Sequence, residues 1–133
     1  QTGGNAGGGA YGYECFSITP GTILNIDLDD TATSVNDLIS ASNGEDGTSY
    51  SGGGNDGIGG TSIAAYNLPG QDATPTQGGK GANGGQGAMG SISNNSPTSA
   101  EFPAGGGGGG RGNYNSQSRM GTQGGGGQVK IYF

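Results

Sequence analysis

The chain has 133 residues with a net charge of −6, 35 glycines, five prolines and only 28% hydrophobic residues. It is one domain or one module of a longer protein, and side-chain burial cannot supply the usual share of its stability. A single cysteine excludes an intrachain disulfide scaffold, the lack of histidine removes the commonest metal ligand and general base, and four basic residues argue against nucleic acid as a partner.

Residues 1–12 place Gly3, Ala6, Gly9 and Gly12 three apart, a period that is neither helical nor strand-like. Three residues per turn is polyproline II geometry, which has no internal hydrogen bonds, so the backbone must find partners sideways. Glycine permits that close approach, and the segment reads as a first polyglycine II helix. Phe16 and Ile18 then alternate, Thr19-Pro20-Gly21-Thr22 places Pro and Gly for a type II turn, and Leu24, Ile26 and Leu28 alternate again. The pattern predicts a β-hairpin over 16–28, and Cys15 is read as a small buried hydrophobe inside a strand. Asp27, Asp29 and Asp30 lack the glycine and distant glutamate of a calcium loop and are read as solvated turn carboxylates. Val35, Leu38 and Ile39 cover one end of the hairpin, with a short helical turn expected there.

A second glycine helix is expected within 43–60, where Gly44 and Gly47 are followed by Gly54, Gly57 and Gly60. Residues 61–77, with Ile63, Tyr66, Leu68, Pro69 and Pro75, read as a loop holding one short strand at most. The clearest stretch is 78–90, with Gly78, Gly81, Gly84, Gly87 and Gly90 in strict period. Collagen would want proline between them; Lys80, Ala82, Asn83, Gln86, Ala88 and Met89 stand there instead, so the stretch reads as a polyglycine II helix packed beside others like it. On this reading valine at Gly84 should block the approach of neighbouring backbones.

Residues 91–104 form a second excursion with Ile92, Pro97, Phe102 and Pro103; its Asn94-Asn95-Ser96 glycan acceptor pattern carries little weight with Pro97 following. The glycines of 105–112 lack the Lys-Ser or Lys-Thr of a phosphate cradle. Residues 113–123 carry Tyr114, Arg119 and Met120, Gly121, Gly124 and Gly127 restore the period, and Val129, Ile131 and Phe133 predict a closing strand able to pair with the opening hairpin. The fold expected is a single domain over 1–133, mostly irregular and β, with packed polyglycine II helices bracketed by a β-hairpin and a C-terminal strand and little or no α-helix.

The order of a glycine-rich start, Phe16-Ser17-Ile18-Thr19-Pro20-Gly21-Thr22 with Ile26 and Leu28, alternating glycine tracts and loops, and a glycine run before Val129-Lys130-Ile131-Tyr132 resembles the glycine-rich modules at the ends of bacteriophage tail fibres and in some bacterial surface proteins. The resemblance covers essentially the whole chain. It implies a polyglycine II scaffold whose intervening loops meet a host receptor, and hence an extracellular place on a virion tail fibre or a cell-surface fibre. The chain departs from that pattern over 27–37, where the second strand does not run straight into a glycine tract.

Neither a nucleophile with its base nor paired carboxylates in a cleft is legible, so the expectation is a non-enzymatic module without cofactor or metal. Beside the glycine-poor segments, Tyr66, Phe102 and Tyr114 offer contact area at low entropy cost, with Arg111 and Arg119 flanking Tyr114. These five are the candidate receptor-binding residues; Tyr50 lies in similar surroundings, and plugging the ends of the glycine layers is the competing role for the rings. Gly54, Gly57, Gly60, Gly78, Gly81, Gly84, Gly87, Gly90, Gly121, Gly124 and Gly127 are the expected scaffold. The expected partner is a bacterial surface glycan or outer-membrane protein, or further copies of the chain as a homo-oligomer. No apolar run reaches the ~20 residues of a membrane span. Residues 1–60 carry eight carboxylates and no cation, whereas 61–133 carry four cations against two carboxylates, which gives either plain solubility or head-to-tail docking. A self-assembling fibril subunit is the second functional class and ice binding by flat glycine arrays the third. A start at Gln1 suggests a processed product or an excised module.

Overall fold

The computed structural model describes residues 4–48, 55–90, 98–103 and 121–133. Backbone hydrogen bonds recur every third residue. Gly4, Gly7 and Ala10 donate their N–H groups to the carbonyls of Thr48, Glu45 and Ser42, and Ser42, Glu45 and Thr48 donate in turn to Thr61, Ile58 and Asn55. Only a threefold backbone helix returns the same edge to its neighbour at that interval. Residues 4–10 therefore show three edges to four neighbouring segments, one of them 70–73, whose Gln71 carbonyl accepts from Gly8 N–H. The second edge meets 57–60, where Gly57 and Gly60 donate to the Asn5 and Gly8 carbonyls, and the third meets 79–82, where Gly79 and Ala82 donate to Ala6 and Gly9.

Around this central helix lie arms at 42–48, 55–61, 70–73 and 78–82, with 85–90 and 98–101 farther out. Gly70 and Ala73 donate to Gly60 and Gly57, Gly78 and Gly81 donate to Ala88 and Gly85, and Thr98 and Glu101 donate to Met89 and Gln86. The interior this builds is almost entirely main chain. Ten of the twelve buried residues among those described are glycines; the others are Ala88 and Asn5. Close approach explains the composition, because a Cβ on Gly7, Gly57 or Gly87 would run into the carbonyl of Ile58, Glu45 or Gly78 respectively.

Two expected glycine helices prove to be folded back on themselves. The stretch 78–90 is two antiparallel arms joined by a turn in which Gly84 N–H donates to the Gly81 carbonyl at 3.2 Å. Gly84 has φ +112°, and a Cβ there would meet nothing within 4 Å. It is glycine for its backbone conformation and not for close approach, which corrects the expectation for that position. The stretch 43–60 likewise supplies two antiparallel arms, 42–48 and 55–61, instead of one helix. Doubling back lets each short arm satisfy edges that a lone helix would leave bare.

The remaining elements are six short strands, β1 (Tyr11–Tyr13), β2 (Ile26–Leu28), β3 (Ala32–Val35), β4 (Ile39–Ser42), β5 (Ser62–Ile63) and β6 (Tyr66–Leu68). They form an antiparallel β1–β6 pair and a four-stranded antiparallel sheet in the order β2-β3-β4-β5. The described residues contain no helix, and the fold is mostly irregular and β as expected. The Thr19–Thr22 turn exists, with Thr22 N–H donating to the Thr19 carbonyl at 3.1 Å and Gly21 at φ +90°. No strands flank it on both sides, however: β2 pairs with β3 and not with residues 16–18.

The nearer partner wins because a shorter loop closes at lower entropic cost and because Asp29 caps the intervening turn. Its Oδ1 accepts from Thr31 N–H at 2.6 Å, the Thr31 hydroxyl at 2.7 Å and Ala32 N–H at 2.7 Å. The helical turn expected near Leu38 is instead the β3–β4 turn, with Leu38 N–H donating to the Val35 carbonyl and Asn36 at φ 46°. Residues 61–77 hold two strands where one at most was expected. Residues 128–133 form no strand and pair with none; a Cβ on Gly127 would meet Thr33 Oγ1, so the tail comes against β3 side-on. Cys15 is exposed and outside any strand.

The Ala32 N–H above all, then the Thr31 hydroxyl and amide, hold the Asp29 carboxyl below its ordinary pKa. A carboxyl depressed in the folded state stabilises the fold above its unfolded pKa of about 3.9 and loses that contribution as pH falls through the lower folded value. In an NMR titration the Thr31 and Ala32 amide resonances are expected to follow Asp29, with their inflection below that ordinary value. Amides that ignore acidification would show that Asp29 does not hold the turn.

Candidate recognition surface

With the interior given over to glycine, the large side chains lie outside it, many of them around the strands and others, such as Ile58, Met89 and Phe102, on or beside the glycine arms. Strand alternation puts Tyr11 and Tyr13 on one face of β1, and the register sets them opposite Leu68 and Tyr66 of β6. The opposite face, at Gly12, lies on the larger sheet, where an added Cβ would sit 3.1 Å from Ala64 Cβ, 3.3 Å from Ser62 Cβ and 3.5 Å from Ile39 Cδ1. Glycine at 12 thus lets the small sheet lie close against β4 and β5, with Tyr11 and Tyr13 beside β3 and β4 around one trough. The Ala65 N–H donates to Glu14 Oε2 and ties the end of β1 to the β5–β6 turn.

Between this face and the C-terminal segment lies an open trough of about 660 Å³, whose walls include Tyr11, Tyr13, Phe16, Ile39, Ile131 and Tyr132. Tyr13 hydroxyl and Cys15 Sγ share a hydrogen bond at 3.2 Å, which raises the Tyr13 pKa above its ordinary value, with the neighbouring thiol, Tyr11 and Tyr132 acting in the same direction. The trough is a surface of ring faces and phenol hydroxyls suited to contact and hydrogen bonding. Among the described residues no group of three Cys, Asp or Glu side chains is placed to hold a metal ion, and no helix is long and apolar enough to cross a membrane.

Of the candidate residues, Tyr66 lies on β6 opposite Tyr13 and is 54% exposed, and Phe102 is 58% exposed beside Pro103, whose carbonyl backs Gly85. Tyr66 thus joins the tyrosine face, whereas only Phe102's neighbour Pro103 reaches the trough wall. Arg111, Tyr114, Arg119, Tyr50 and the scaffold position Gly54 lie outside the described residues. Gly57, Gly60, Gly78, Gly81 and Gly87 are buried, and Gly90 abuts Asn5 Oδ1, which a Cβ would approach to 2.6 Å. Gly121 and Gly124 are exposed, on either side of Thr122, whose hydroxyl donates to the Thr98 carbonyl, and Gly127 belongs to the tail against β3.

Sequence reasoning missed Tyr11, Tyr13, Phe16 and Tyr132 as a cluster. The alternation Tyr11-Gly12-Tyr13 was the available signal, but it follows a glycine run so directly that it reads as the run's end. In comparisons with known proteins, the chain matches no family model, no curated protein and no solved structure.

Proposed function

We propose that this chain is a non-enzymatic structural and adhesive module of an extracellular fibre or tail-fibre tip, a rigid glycine scaffold that offers side chains to a bacterial surface receptor, either a glycan or an outer-membrane protein. The observation that carries this reading is the division of labour within the chain. Among the described residues the interior is nearly all main chain and most large apolar side chains are exposed, with Tyr13, Phe16, Tyr66 and Phe102 between 41% and 58% exposed. Exposed rings on a short-armed, cross-bonded scaffold give contact area with little ordering cost on binding.

Labelled protein is expected to bind selected bacterial cells, and purified surface glycans or outer-membrane proteins should compete. Tyr66→Ala, Phe102→Ala and the combined Arg111→Ala/Tyr114→Ala/Arg119→Ala variant should each weaken binding by about tenfold or more, with melting temperature unchanged. Absence of binding across a broad panel of cells, or variants that bind as well as the parent, would overturn the proposal.

A further inference from the structure

The edge of the four-stranded sheet at β2 is open. Asn36 N–H donates to the Asn25 carbonyl and Asp29 N–H donates to the Ala32 carbonyl. In an antiparallel ladder every second residue bonds to the same partner, so Asn25, Asp27 and Asp29 face β3 while Ile26 and Leu28 turn their N–H and C=O groups outward. No described residue meets those outward groups. The side chains are open as well, with Ile26 47% and Leu28 60% exposed. Such an edge is a template for an added strand, and its side chains state which strand fits.

The pattern from Leu24 to Leu28 is apolar at 24, 26 and 28 with a carboxylate at 27. A second β2 laid antiparallel on it about Asp27 would set that carboxylate against its own copy, which disfavours self-pairing of like edges. The complementary pattern exists elsewhere in the chain. Residues 129, 131 and 133 are Val, Ile and Phe, with Lys130 between the first two. With Lys130 opposite Asp27, an antiparallel register brings Val129 to Leu28, Ile131 to Ile26 and Phe133 to Leu24, so every apolar position meets an apolar one. This same segment is unpaired in the structure, and Tyr132 and Phe133 are its most exposed large side chains.

We infer that residues 128–133 of one copy add as an antiparallel strand to the β2 edge of a second copy, with Lys130 set against Asp27. The contact is heterologous, since tail and edge are different surfaces, so successive copies close into a ring or continue as a filament. The acidic first half and the cationic second half of the chain favour the same head-to-tail order. The inference is independent of the adhesive reading: a monomer that binds cells would remove this contact and leave that function standing.

Sedimentation velocity over a concentration series is the test. The parent chain should associate, more weakly as salt is raised. Asp27→Lys and Lys130→Asp, both at exposed positions, should each weaken association by about tenfold or more, and the double variant should recover to within about threefold of the parent. Ile26→Pro removes an outward N–H that the sheet does not use and should yield a monomer with its melting temperature nearly retained. Electron microscopy then reads rings or filaments, either of which supports the contact. A parent that stays monomeric throughout, a double variant no better than the singles, or an Ile26→Pro chain that associates like the parent would overturn it.

Discussion

Replacing Gly79 with alanine is expected to destabilise the protein by about 3 kcal/mol or more, a large part of the ~5–15 kcal/mol that holds a typical domain together. The added methyl has no room: it would run into the Gln71 carbonyl on one side and the Gly8 amide nitrogen on the other. Both obstacles are backbone, so relief requires three helices to part. The bonds at stake are Gly79 N–H to Ala6 O at 2.8 Å, Gly8 N–H to Gln71 O at 2.9 Å and Gln71 N–H to Lys80 O at 3.0 Å. Each contributes about 1 kcal/mol net, and a buried group left unpaired costs more than that.

Two other glycines provide the contrast. Gly126, where a Cβ would meet nothing within 4 Å, should accept alanine within about 0.5 kcal/mol. Gly84→Ala should cost about 1–2 kcal/mol, solely for its positive φ. Urea denaturation midpoints of the three variants check the ranking, and a Gly79→Ala protein as stable as the Gly126→Ala protein would show that the glycine lattice does not hold the fold.

The second large effect is expected at Asn5, the one polar side chain buried in the lattice among the described residues, at 2% exposure. Its Nδ2 donates to the Thr74 carbonyl at 2.6 Å, its backbone N–H donates to Asp56 Oδ1 at 3.0 Å, and its own carbonyl accepts from Gly57 N–H at 2.7 Å. Asn5 thereby joins the central helix to two surrounding segments at one point. Asn5→Ala would take from the Thr74 carbonyl the shorter of its two bonds, leaving the one from Gln77 N–H at 3.2 Å, and would open a void, for a loss of about 1–3 kcal/mol. Asn5→Asp keeps the shape but turns a carboxylate oxygen toward that carbonyl, for a loss of about 3 kcal/mol or more at neutral pH. Burial raises the pKa of a carboxyl at that site, so the Asn5→Asp penalty should shrink as pH falls and the group protonates. Thermal melts of both variants at neutral and acidic pH decide the matter. An Asn5→Asp variant equally stable at both would place residue 5 in contact with solvent.

The tyrosine face and the β2 edge show how much of the surface can be read from the chain. Tyr66 is legible as a candidate because it lies in a glycine-poor segment, and it stands exposed opposite Tyr13. Its partners are not legible, since Tyr13 reaches it across 53 positions through a pairing set by how the glycine arms return the chain. The hairpin expected over 16–28 fails for a related reason: alternation is present on both sides of the Thr19–Thr22 turn, but it says nothing of which strand takes which partner. Asp29, with three donors on one oxygen, decides that choice locally, and composition alone shows it only as a charge.

The kind of interior follows from the residues alone. Glycine every third residue, with too few apolar side chains for an ordinary core, leaves threefold backbone helices bonded sideways as the way to bury anything, and the described structure bonds in that rhythm. Where each helix turns back, which strand pairs with which, and that the closing residues 128–133 lie unpaired against the sheet all had to wait for the folded chain. Period and alternation are properties of single residues along the chain and can be counted there. Folding back, partner choice and an open edge depend on which distant backbones come within hydrogen-bonding reach, and that distance is fixed only once all the arms are in place.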